Sequence, residues 1–417
     1  MRILHTADWH LGHRLYNRDR TPEHRAALAW LLQTVKEENI DLVILAGDVF
    51  DVTNPSNQAK ELYYEFLSGL KNTPCAAAVV VGGNHDSPSL LNAPKALLRQ
   101  LNLHVVGAAD TPPADRVLEL QCGEERVIVA AVPYLRERDV RSGQFGESTE
   151  DRLAQLRAGI RQHFDGIAEA ALAVRKDASV PVLATGHLFA AGARDDEEKK
   201  SYIYQADENN IDAGHFPPCF DYVALGHVHR AQHVGDCDHI RYAGSLVPLT
   251  FVEGQVSRSV CLVEVGKAGN PVLTRKISVP THRKLVRLHA TLPEVKEGLR
   301  RAVREAGAEE LRPWVEVRVR TDEAIPNLRE KLHRIVREAQ EDPDAAPPVE
   351  ILRISTERLS PRPAGEAARD IRQLEELRPA DVFQQLCARQ QFSDAHRAGL
   401  EADFASLRSW IAEQEEL

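Results

Sequence analysis

The chain has 417 residues, of which 43% are hydrophobic and 27% charged, and its formal net charge is −10 at pH 7. This length favours two or three domains over a single core, and the composition is that of a soluble globular protein. The acidic balance argues against a broad basic surface for nucleic acid. Attraction for a polyphosphate chain would have to come from bound metal, local basic patches or a partner protein.

Neither a membrane span nor a signal peptide is expected from the sequence. No apolar run approaches the roughly 18 residues that a span requires, and Asp8 soon interrupts the start of the chain. The six cysteines are scattered, without a Cys-x-x-Cys pair. We therefore expect reduced thiols and a cytoplasmic location.

The first part of the chain alternates short apolar runs with amphipathic segments, which is the pattern of a layered α/β core. Helices are predicted at residues 22–38, 58–70 and 151–175. Strands are predicted at residues 3–4, 42–45, 79–81, 117–120, 127–132, 180–184 and 222–225.

After residue 280 the pattern becomes strand, helix, strand, helix, strand, at residues 284–292, 293–306, 314–319, 325–339 and 349–354. This order predicts a small α+β domain. The Pro- and Gly-containing stretch 360–365 is typical of a linker, and three helices are predicted beyond it, at 367–376, 380–389 and 396–413. We therefore expect three parts, at residues 1–280, 281–360 and 361–417.

Five polar motifs each follow an apolar strand of the first domain. They are Asp8-x-His10, Asp48-x-x-Asp51, Asn84-His85, His187 and His227-x-His229. Because ligands of α/β sheets bind at the carboxyl ends of the strands, we expect these side chains to converge. Asn84-His85-Asp86 alone would be equally consistent with an ordinary loop, and a D-x-H or H-x-H motif alone is usually a surface or core accident. Five motifs in succession, each after a strand, favour a functional site.

The residue types in these motifs indicate a metal centre. Carboxylate, imidazole and amide oxygen together suit Mn²⁺, Fe²⁺, Co²⁺ or Zn²⁺ better than calcium. Seven ligands exceed the need of one ion, and a shared carboxylate would let two ions approach to about 3.5–4 Å for in-line attack on phosphate. The candidate ligands are Asp8, His10, Asp48, Asn84, His187, His227 and His229.

In their order and spacing these motifs resemble those of the calcineurin-type metallophosphoesterases, D-x-H, G-D-x-x-D, G-N-H-D or -E, G-H and G-H-x-H. The resemblance implies an α/β fold of the αββα sandwich type. It implies that one ion is held by Asp8, His10, Asp48 and His229. The second ion would be held by Asp48, Asn84, His187 and His227, so that Asp48 bridges the two.

The same resemblance assigns an acid/base role to His85, which would protonate or steer the leaving oxygen. Asp51 and Asp86 are expected to orient neighbouring ligands rather than bind metal themselves. Several other residues that invite functional interpretations are expected to be structural or exposed. They are His5, His13, His104, His215, Tyr134 and the charged loop 195–200.

Longer segments narrow the family further. Residues 6–12, 46–51 and 242–246 closely resemble the SbcD subunits of bacterial SbcCD nucleases, and so does the domain order, with a capping α+β domain at 281–360. The resemblance covers essentially the whole chain and is strongest over residues 1–255.

This resemblance implies a Mn²⁺-dependent DNA phosphodiesterase that works with SbcC, a coiled-coil ATPase. It implies ATP-dependent exonuclease action on double-stranded ends and endonuclease action on hairpins and single strands, in DNA repair, recombination and replication. The catalytic domains would pair as a homodimer within a heterotetramer, and the C-terminal helices would dock on the coiled coil.

The expected docking segment comprises residues 378–383 and the helix carrying Leu400, Phe404, Leu407 and Ile411, whose apolar spacing gives one amphipathic face. Packing of this face against its own domain is the alternative.

Two rival functions are considered besides the nuclease. The extra domain and helices disfavour a phosphatase for small substrates, and the complete ligand set disfavours a catalytically silent adaptor for a DNA-bound ATPase.

Overall fold

The computed structural model describes residues 1–142, 147–190, 211–306, 311–340, 345–359, 399–400 and 403–404. The predicted loop 195–200, the segment 378–383, and the helices at 367–376, 380–389 and most of 396–413 lie outside these residues. The chain forms two compact units, one of Met1–Val319 with Ile325–Ser355 and one of Arg320–Ala324 with Thr356–Leu417. No helix within the described ranges is long and apolar enough to cross a bilayer.

Two six-stranded sheets form the centre of the first unit, counted over the described residues. One contains β1 (Arg2–Thr6), β4 (Leu42–Ala46), β5 (Ala77–Val81), β6 (Leu103–Val106), β13 (Ser259–Glu264) and β14 (Leu273–Ser278). The other contains β7 (Val117–Cys122), β8 (Glu125–Ala130), β9 (Val182–His187), β10 (Tyr222–Gly226), β11 (Gln232–Val234) and β12 (Cys237–Tyr242). A short hairpin consists of β2 (Arg14–Leu15) and β3 (Arg18–Asp19).

The strand order in the first sheet is β14-β13-β1-β4-β5-β6, with β1, β4, β5 and β6 parallel and β13 and β14 added as antiparallel neighbours. The second sheet has the order β11-β12-β10-β9-β8-β7, with a parallel centre and antiparallel edges. The parallel centres matter for function, because they bring the carboxyl ends of successive strands to one edge.

The helices of this part are α1 (Thr21–Glu37), α2 (Asn57–Gly69), α3 (Pro88–Asn92), α4 (Lys95–Arg99), α5 (Glu137–Val140) and α6 (Thr149–Val174). Local sequence explains their starts: Pro22 lies in the first turn of α1, and the Ser56 hydroxyl accepts a hydrogen bond from the Ala59 amide at the start of α2. Ser148 caps α6 in the same way, through the Asp151 amide.

Three apolar cores separate four layers. One packs α1 and α2 against the first sheet, and another packs α6 against the second. Between them a third core joins the two sheets, with Ile44 and Val79 from one sheet and Leu183 and Tyr222 from the other. This arrangement confirms the predicted α/β sandwich with helices on both outer faces.

The region after residue 280 has the predicted order of elements, β15 (Arg283–Ala290), α7 (Leu292–Glu305), β16 (Leu311–Arg320), α8 (Leu328–Ala339) and β17 (Glu350–Glu357). The strands lie in the order β15-β16-β17, and β15 is parallel to β16. A capping box of Thr291 and Glu294 begins α7. This region has its own apolar core, which includes Val295, Val317 and Ile335.

Candidate metal centre

The structure brings all seven candidate ligands to one edge of the two sheets, at or just past the ends of β1, β4, β5, β9 and β10. Ligand atoms of Asp8, His10 and His229 lie within 4.8 Å of one another. A second group with the same spacing consists of Asp48, His187 and His227. The convergence predicted from the strand-end motifs is therefore present in the fold.

Two side chains connect these groups in a way that suits two neighbouring ions. Asp48 Oδ2 lies 3.2 Å from His187 Nε2 and 3.6 Å from His10 Nε2, so this carboxylate lies between the two groups. Asn84 Oδ1 is 3.0 Å from His187 Nε2 and 3.0 Å from His227 Nδ1 and so belongs with the second group. The division of these side chains between two ions stays a prediction from the family resemblance.

The backbone at the site is strained at several ligands. Asp8, His10, Asp48 and His227 have φ angles of 52°, 47°, 48° and 95°, a region that non-glycine residues rarely adopt. Hydrogen bonds hold this conformation: the Asp8 amide donates to Gly47 O, and the His227 amide donates to Asp8 Oδ1 at 2.8 Å. Such strain persists only where surrounding contacts impose it, and it is typical of functional sites.

Glycines allow the loops to approach one another closely. A Cβ on Gly83 would lie 2.1 Å from Asp48 Oδ1, and one on Gly226 would lie 1.9 Å from Ala46 O. Close packing around Asp48 therefore requires glycine at position 83, before Asn84, and close packing at the end of β4 requires glycine at position 226, before His227.

Three of the histidines are oriented through Nδ1, which leaves Nε2 to face the site. His187 Nδ1 donates to Ala46 O at 2.9 Å, His10 Nδ1 lies 3.3 Å from Asp51 Oδ1, and His229 Nδ1 lies 3.1 Å from Glu253 Oε1. Backbone carbonyl or carboxylate partners of this kind fix the tautomer and ring orientation of metal-binding histidines.

Sequence reasoning did not identify Glu253. Its side chain is fully buried, accepts a hydrogen bond from the Leu249 amide and lies 3.6 Å from Arg258 Nη1. Burial would raise the pKa of this carboxyl, but the hydrogen bond and charge of His229 and the Arg258 guanidinium lower it to about 2. The only signal in the sequence is an acidic residue at the end of the largely apolar run 246–252.

Asp51 and Asp86 make the contacts expected of orienting residues. Besides His10, Asp51 contacts His13 Nδ1 at 3.0 Å, so His13 is tied to the site despite its lack of motif context. Asp86 accepts from the amides of Gly83, Val49 and Phe50 at 2.8, 3.1 and 2.9 Å, which ties the loop after β5 to the loop after β4.

His85 lies beside both ligand groups. Its amide donates to Asp48 Oδ1 at 2.9 Å, and its ring centroid is 4.9 Å from that of His10. His85 Nδ1 is 2.7 Å from Asp51 O, and because a carbonyl only accepts, Nδ1 carries the proton in this contact. His85 Nε2 is thereby left for chemistry at the site edge, where the residue is half-buried.

Burial and charge act in opposite directions within the site. Burial raises the pKa of Asp8 and lowers that of His227 to about 3. Burial would also raise the pKa of Asp48 and lower that of His187, but the attraction between these two groups wins. It holds the Asp48 pKa well below its usual range and raises the His187 pKa to about 9.

Two ligand atoms indicate what the site is built to hold. Asp8 Oδ2 and His10 Nε2 are buried and have no hydrogen-bond partner among the described residues. Leaving such groups unpaired is costly in a protein interior. A divalent cation would satisfy both, so the donor set fits the metal centre predicted from the sequence.

The layered fold and this carboxylate–histidine site define a calcineurin-like metallophosphoesterase. The family described as Calcineurin-like phosphoesterase matches residues 1–231, and the one described as Type 5 capsule protein repressor C-terminal domain matches residues 281–391.

Relatives named as the SbcD subunit of the nuclease SbcCD match much more of the chain. The Escherichia coli (strain K12) protein is 33% identical over 417 residues, covering 100% of both chains. The Rhodobacter capsulatus protein is 35% identical over 316 residues, or 72% of this chain and 76% of that one, and the Bacillus subtilis (strain 168) protein is 33% identical over 294 residues, or 70% and 72%. The chain belongs to the SbcD family of SbcCD nuclease subunits and is a metal-dependent nuclease.

Proposed function

We propose that this chain is a two-metal DNA phosphodiesterase, the nuclease subunit of a complex with an SbcC-type coiled-coil ATPase. It trims double-stranded ends as an ATP-dependent exonuclease and cuts hairpins and single strands as an endonuclease, in DNA repair, recombination and replication. The observation that carries the proposal is the pair of ligand groups with Asp48 between them. The names of the relatives support the choice of DNA and of the ATPase partner.

The proposed first ion is held by Asp8, His10, Asp48 and His229, and the second by Asp48, Asn84, His187 and His227. Mn²⁺ is the proposed metal, because this mixture of oxygen and imidazole nitrogen ligands suits it. A bound ion pair would supply electrostatic stabilisation of the charge that develops on the phosphate. The contacts of Asp48 Oδ2 with His187 Nε2 and with His10 Nε2 support its role as the shared ligand, and the contact of Asn84 Oδ1 with His187 Nε2 supports its place in the second set.

His85 is the proposed acid/base residue. The Asp51 carbonyl holds the proton on His85 Nδ1, so His85 Nε2 is the atom that protonates or steers the departing oxygen. The contact of its amide with Asp48 keeps the ring next to the ligands.

The test compares His85→Gln with the control His104→Gln, since His104 lies on β6 and contacts Asn102. Each Mn²⁺-loaded variant is offered a DNA hairpin, and bound metal is measured separately. We expect His85→Gln to keep its metal and lose roughly 10²-fold or more in turnover. Near-normal hairpin cleavage by this variant would refute the acid/base role.

The rival functions are separated in the same assay. Turnover of a simple phosphomonoester without any cleavage of the hairpin would favour a small-substrate phosphatase. An Asp48→Asn variant that cuts DNA as fast as wild type would favour the adaptor.

A homodimer within a heterotetramer is also part of the proposal. Leu97 and Leu101 are the surface that we propose for it; they lie four residues apart, at α4 and just after it, and have 68% and 37% of their surface exposed. Leu97→Glu is expected to shift the mass measured by sedimentation equilibrium from dimer to monomer. The exposed Leu273→Glu is the control, and a dimer unchanged by Leu97→Glu would exclude this surface.

The domain division at 1–280, 281–360 and 361–417 remains our proposal, supported by the separate apolar core of the second part.

The third part, residues 361–417, is proposed to dock on the ATPase. Co-purification with the ATPase should be lost in Leu407→Asp and kept in Glu401→Ala. The free thiols at Cys75, Cys122, Cys219, Cys237 and Cys261 support a cytoplasmic location.

A further inference from the structure

A cavity of about 430 Å³ lies where β11, β12 and β14 meet the segment that contains Glu253. Four of its lining residues are cationic and none of the described lining residues is acidic, although the chain as a whole carries a net charge of −10. The cationic residues are Arg230, Arg241, Arg258 and Lys276. Positive charge is therefore concentrated at this place against the average of the molecule.

The four cations are compensated to different degrees. Arg258 lies 3.6 Å from the buried Glu253 carboxylate, and Arg241 Nη1 lies 3.5 Å from Asp238 Oδ1. Lys276 Nζ donates to Ala231 O at 2.7 Å, and a carbonyl carries no net charge. Burial lowers the pKa of Lys276, and the Arg241 and Arg230 guanidinium groups lower it further. A bound anion would relieve this repulsion.

The remaining walls have two kinds of surface. Hydroxyl groups come from Ser257, Ser259 and Ser278, and apolar surface comes from Val256, which is 43% exposed. The imidazole of His233 also lines the cavity and offers a flat ring against which a base can stack. The volume is within the range of about 300–1,000 Å³ typical of small-ligand sites.

We propose that this cavity binds a phosphate-bearing nucleotide, with Lys276 and Arg230 contacting the phosphate and Val256 and His233 contacting the base. The proposal rests on the proposed function, because the nucleotide is either the phosphorylated end of the DNA or a free nucleotide released by cleavage.

The cavity is structurally connected to the metal centre through His229. The carbonyl oxygen of His229 accepts from the Ser245 amide at 3.1 Å and from Arg258 Nη1 at 2.7 Å, and all three residues line the cavity. Of the seven candidate metal ligands, each within the described residues, His229 alone lines it. A nucleotide in this cavity would thus be held next to the site of cleavage, without replacing the ligands.

The test measures binding to the full-length chain in EDTA, so that neither cleavage nor metal contributes. Fluorescent hairpin DNA carrying a 5′-phosphate or a 5′-hydroxyl is titrated by anisotropy, and dAMP is added as a competitor. The variants are Lys276→Ala and Arg230→Ala. Arg275→Ala is the matched control, because this neighbouring arginine on β14 pairs with Glu38 instead.

We expect each cavity variant to weaken binding of the 5′-phosphorylated hairpin roughly tenfold, as for loss of a charge-assisted contact, with little effect for the hydroxyl form. If dAMP displaces the hairpin from the wild-type protein but not from Lys276→Ala, free nucleotide is a ligand of the cavity. If the wild-type protein binds the 5′-phosphorylated hairpin more tightly than the 5′-hydroxyl form and dAMP does not compete, the ligand is the DNA end. Either result supports the cavity as a nucleotide site.

Equal binding by Arg275→Ala and the two cavity variants would overturn the proposal, because only general electrostatics would then be involved. Unfolding midpoints equal to wild type verify that the variants are folded. Cleavage of the hairpin by Mn²⁺-loaded wild-type protein tests the proposed function separately. If the chain cuts DNA but the binding test fails, the proposed nucleotide site is wrong and the proposed function stands.

Discussion

Replacing Glu253 by Gln should weaken binding of one metal ion while leaving the fold intact. The carboxylate is fully buried and lies 3.1 Å from His229 Nδ1, the ring nitrogen opposite the one that faces the site. Glutamine keeps an oxygen that can accept this hydrogen bond but removes the negative charge. The charge supports the His229 imidazole when its other nitrogen binds a cation.

The expected size follows from what remains after the substitution. Loss of an orienting partner of a metal-binding histidine costs about 10- to 100-fold in metal affinity. Because Glu253→Gln keeps an acceptor, we expect the lower end, about tenfold or about 1.4 kcal/mol. Glu253→Ala removes both charge and acceptor and leaves Arg258 without its buried partner, so a loss of about 100-fold is expected, together with lower stability.

The assay is calorimetric titration of the metal-free full-length chain with Mn²⁺, analysed for two sites. Glu316→Gln is the matched control. Glu316 lies on β16 and is also a buried glutamate in ion pairs, with Arg287 at 3.3 Å and Arg353 at 3.6 Å. Its substitution removes the same charge without touching a candidate ligand.

A folded Glu253→Gln protein with two wild-type Mn²⁺ affinities would refute the reasoning. Equal weakening by Glu316→Gln would also contradict it, because the effect would then come from general destabilisation. A selective loss at one ion with hairpin cleavage restored at high Mn²⁺ is the outcome that the geometry predicts.

Three further predictions follow from single contacts. Asp48 raises the pKa of His187 to about 9, so the imidazolium must lose its proton when metal binds, and metal affinity should rise with pH up to about 9. Calorimetry in buffers of different ionisation enthalpy should detect about one released proton at pH 7.5, and a binding enthalpy independent of the buffer would contradict this prediction. Gly83→Ala should abolish metal binding, because its Cβ would lie 2.1 Å from Asp48 Oδ1. Gly166→Ala should bind metal normally, because outside the local helix backbone no atom lies within 4 Å of its Cβ. Equal metal content in the two variants would contradict this prediction. Trp314→Ala should lower the free energy of unfolding by about 3–5 kcal/mol, since the ring is buried and lies 4.1 Å from the Arg283 guanidinium, and a denaturant midpoint close to wild type would be the contrary result.

Much of the centre of the fold could be predicted because its strands are short apolar runs that end in motifs. β4 and β5 are fully buried, so their sequences are continuously apolar, and the helices beside them show a clear periodicity. β14 was not predicted, because its six residues are mostly exposed and polar and its pairing with β13 is set by tertiary structure. Local pattern does not encode that pairing.

The candidate site likewise contains residues that the sequence pattern predicts and residues that it does not. Its candidate ligands could be brought together from the sequence because each lies at the end of a strand, where sequence position implies spatial position. Glu253 was not, because its contact with His229 joins residues 24 positions apart and depends on how the segment after β12 folds back. The role of His13 was hidden for the same reason, since its partner Asp51 is 38 positions away.

From the net charge of −10 we expected no broad basic surface for nucleic acid, and attraction only from metal, local basic patches or a partner protein. Charge attracts a polyanion locally, over roughly a Debye length of 8–10 Å, so the sum over the chain says little about any one cavity. Several acidic residues are engaged within the protein, as Glu253 is with His229 and Arg258, and their charge does not oppose an approaching phosphate in full. The cavity beside His229, with Lys276 and Arg230 in its wall, has the opposite sign. If this cavity binds the nucleotide phosphate that we propose, the salt dependence of DNA binding should correspond to few phosphate contacts.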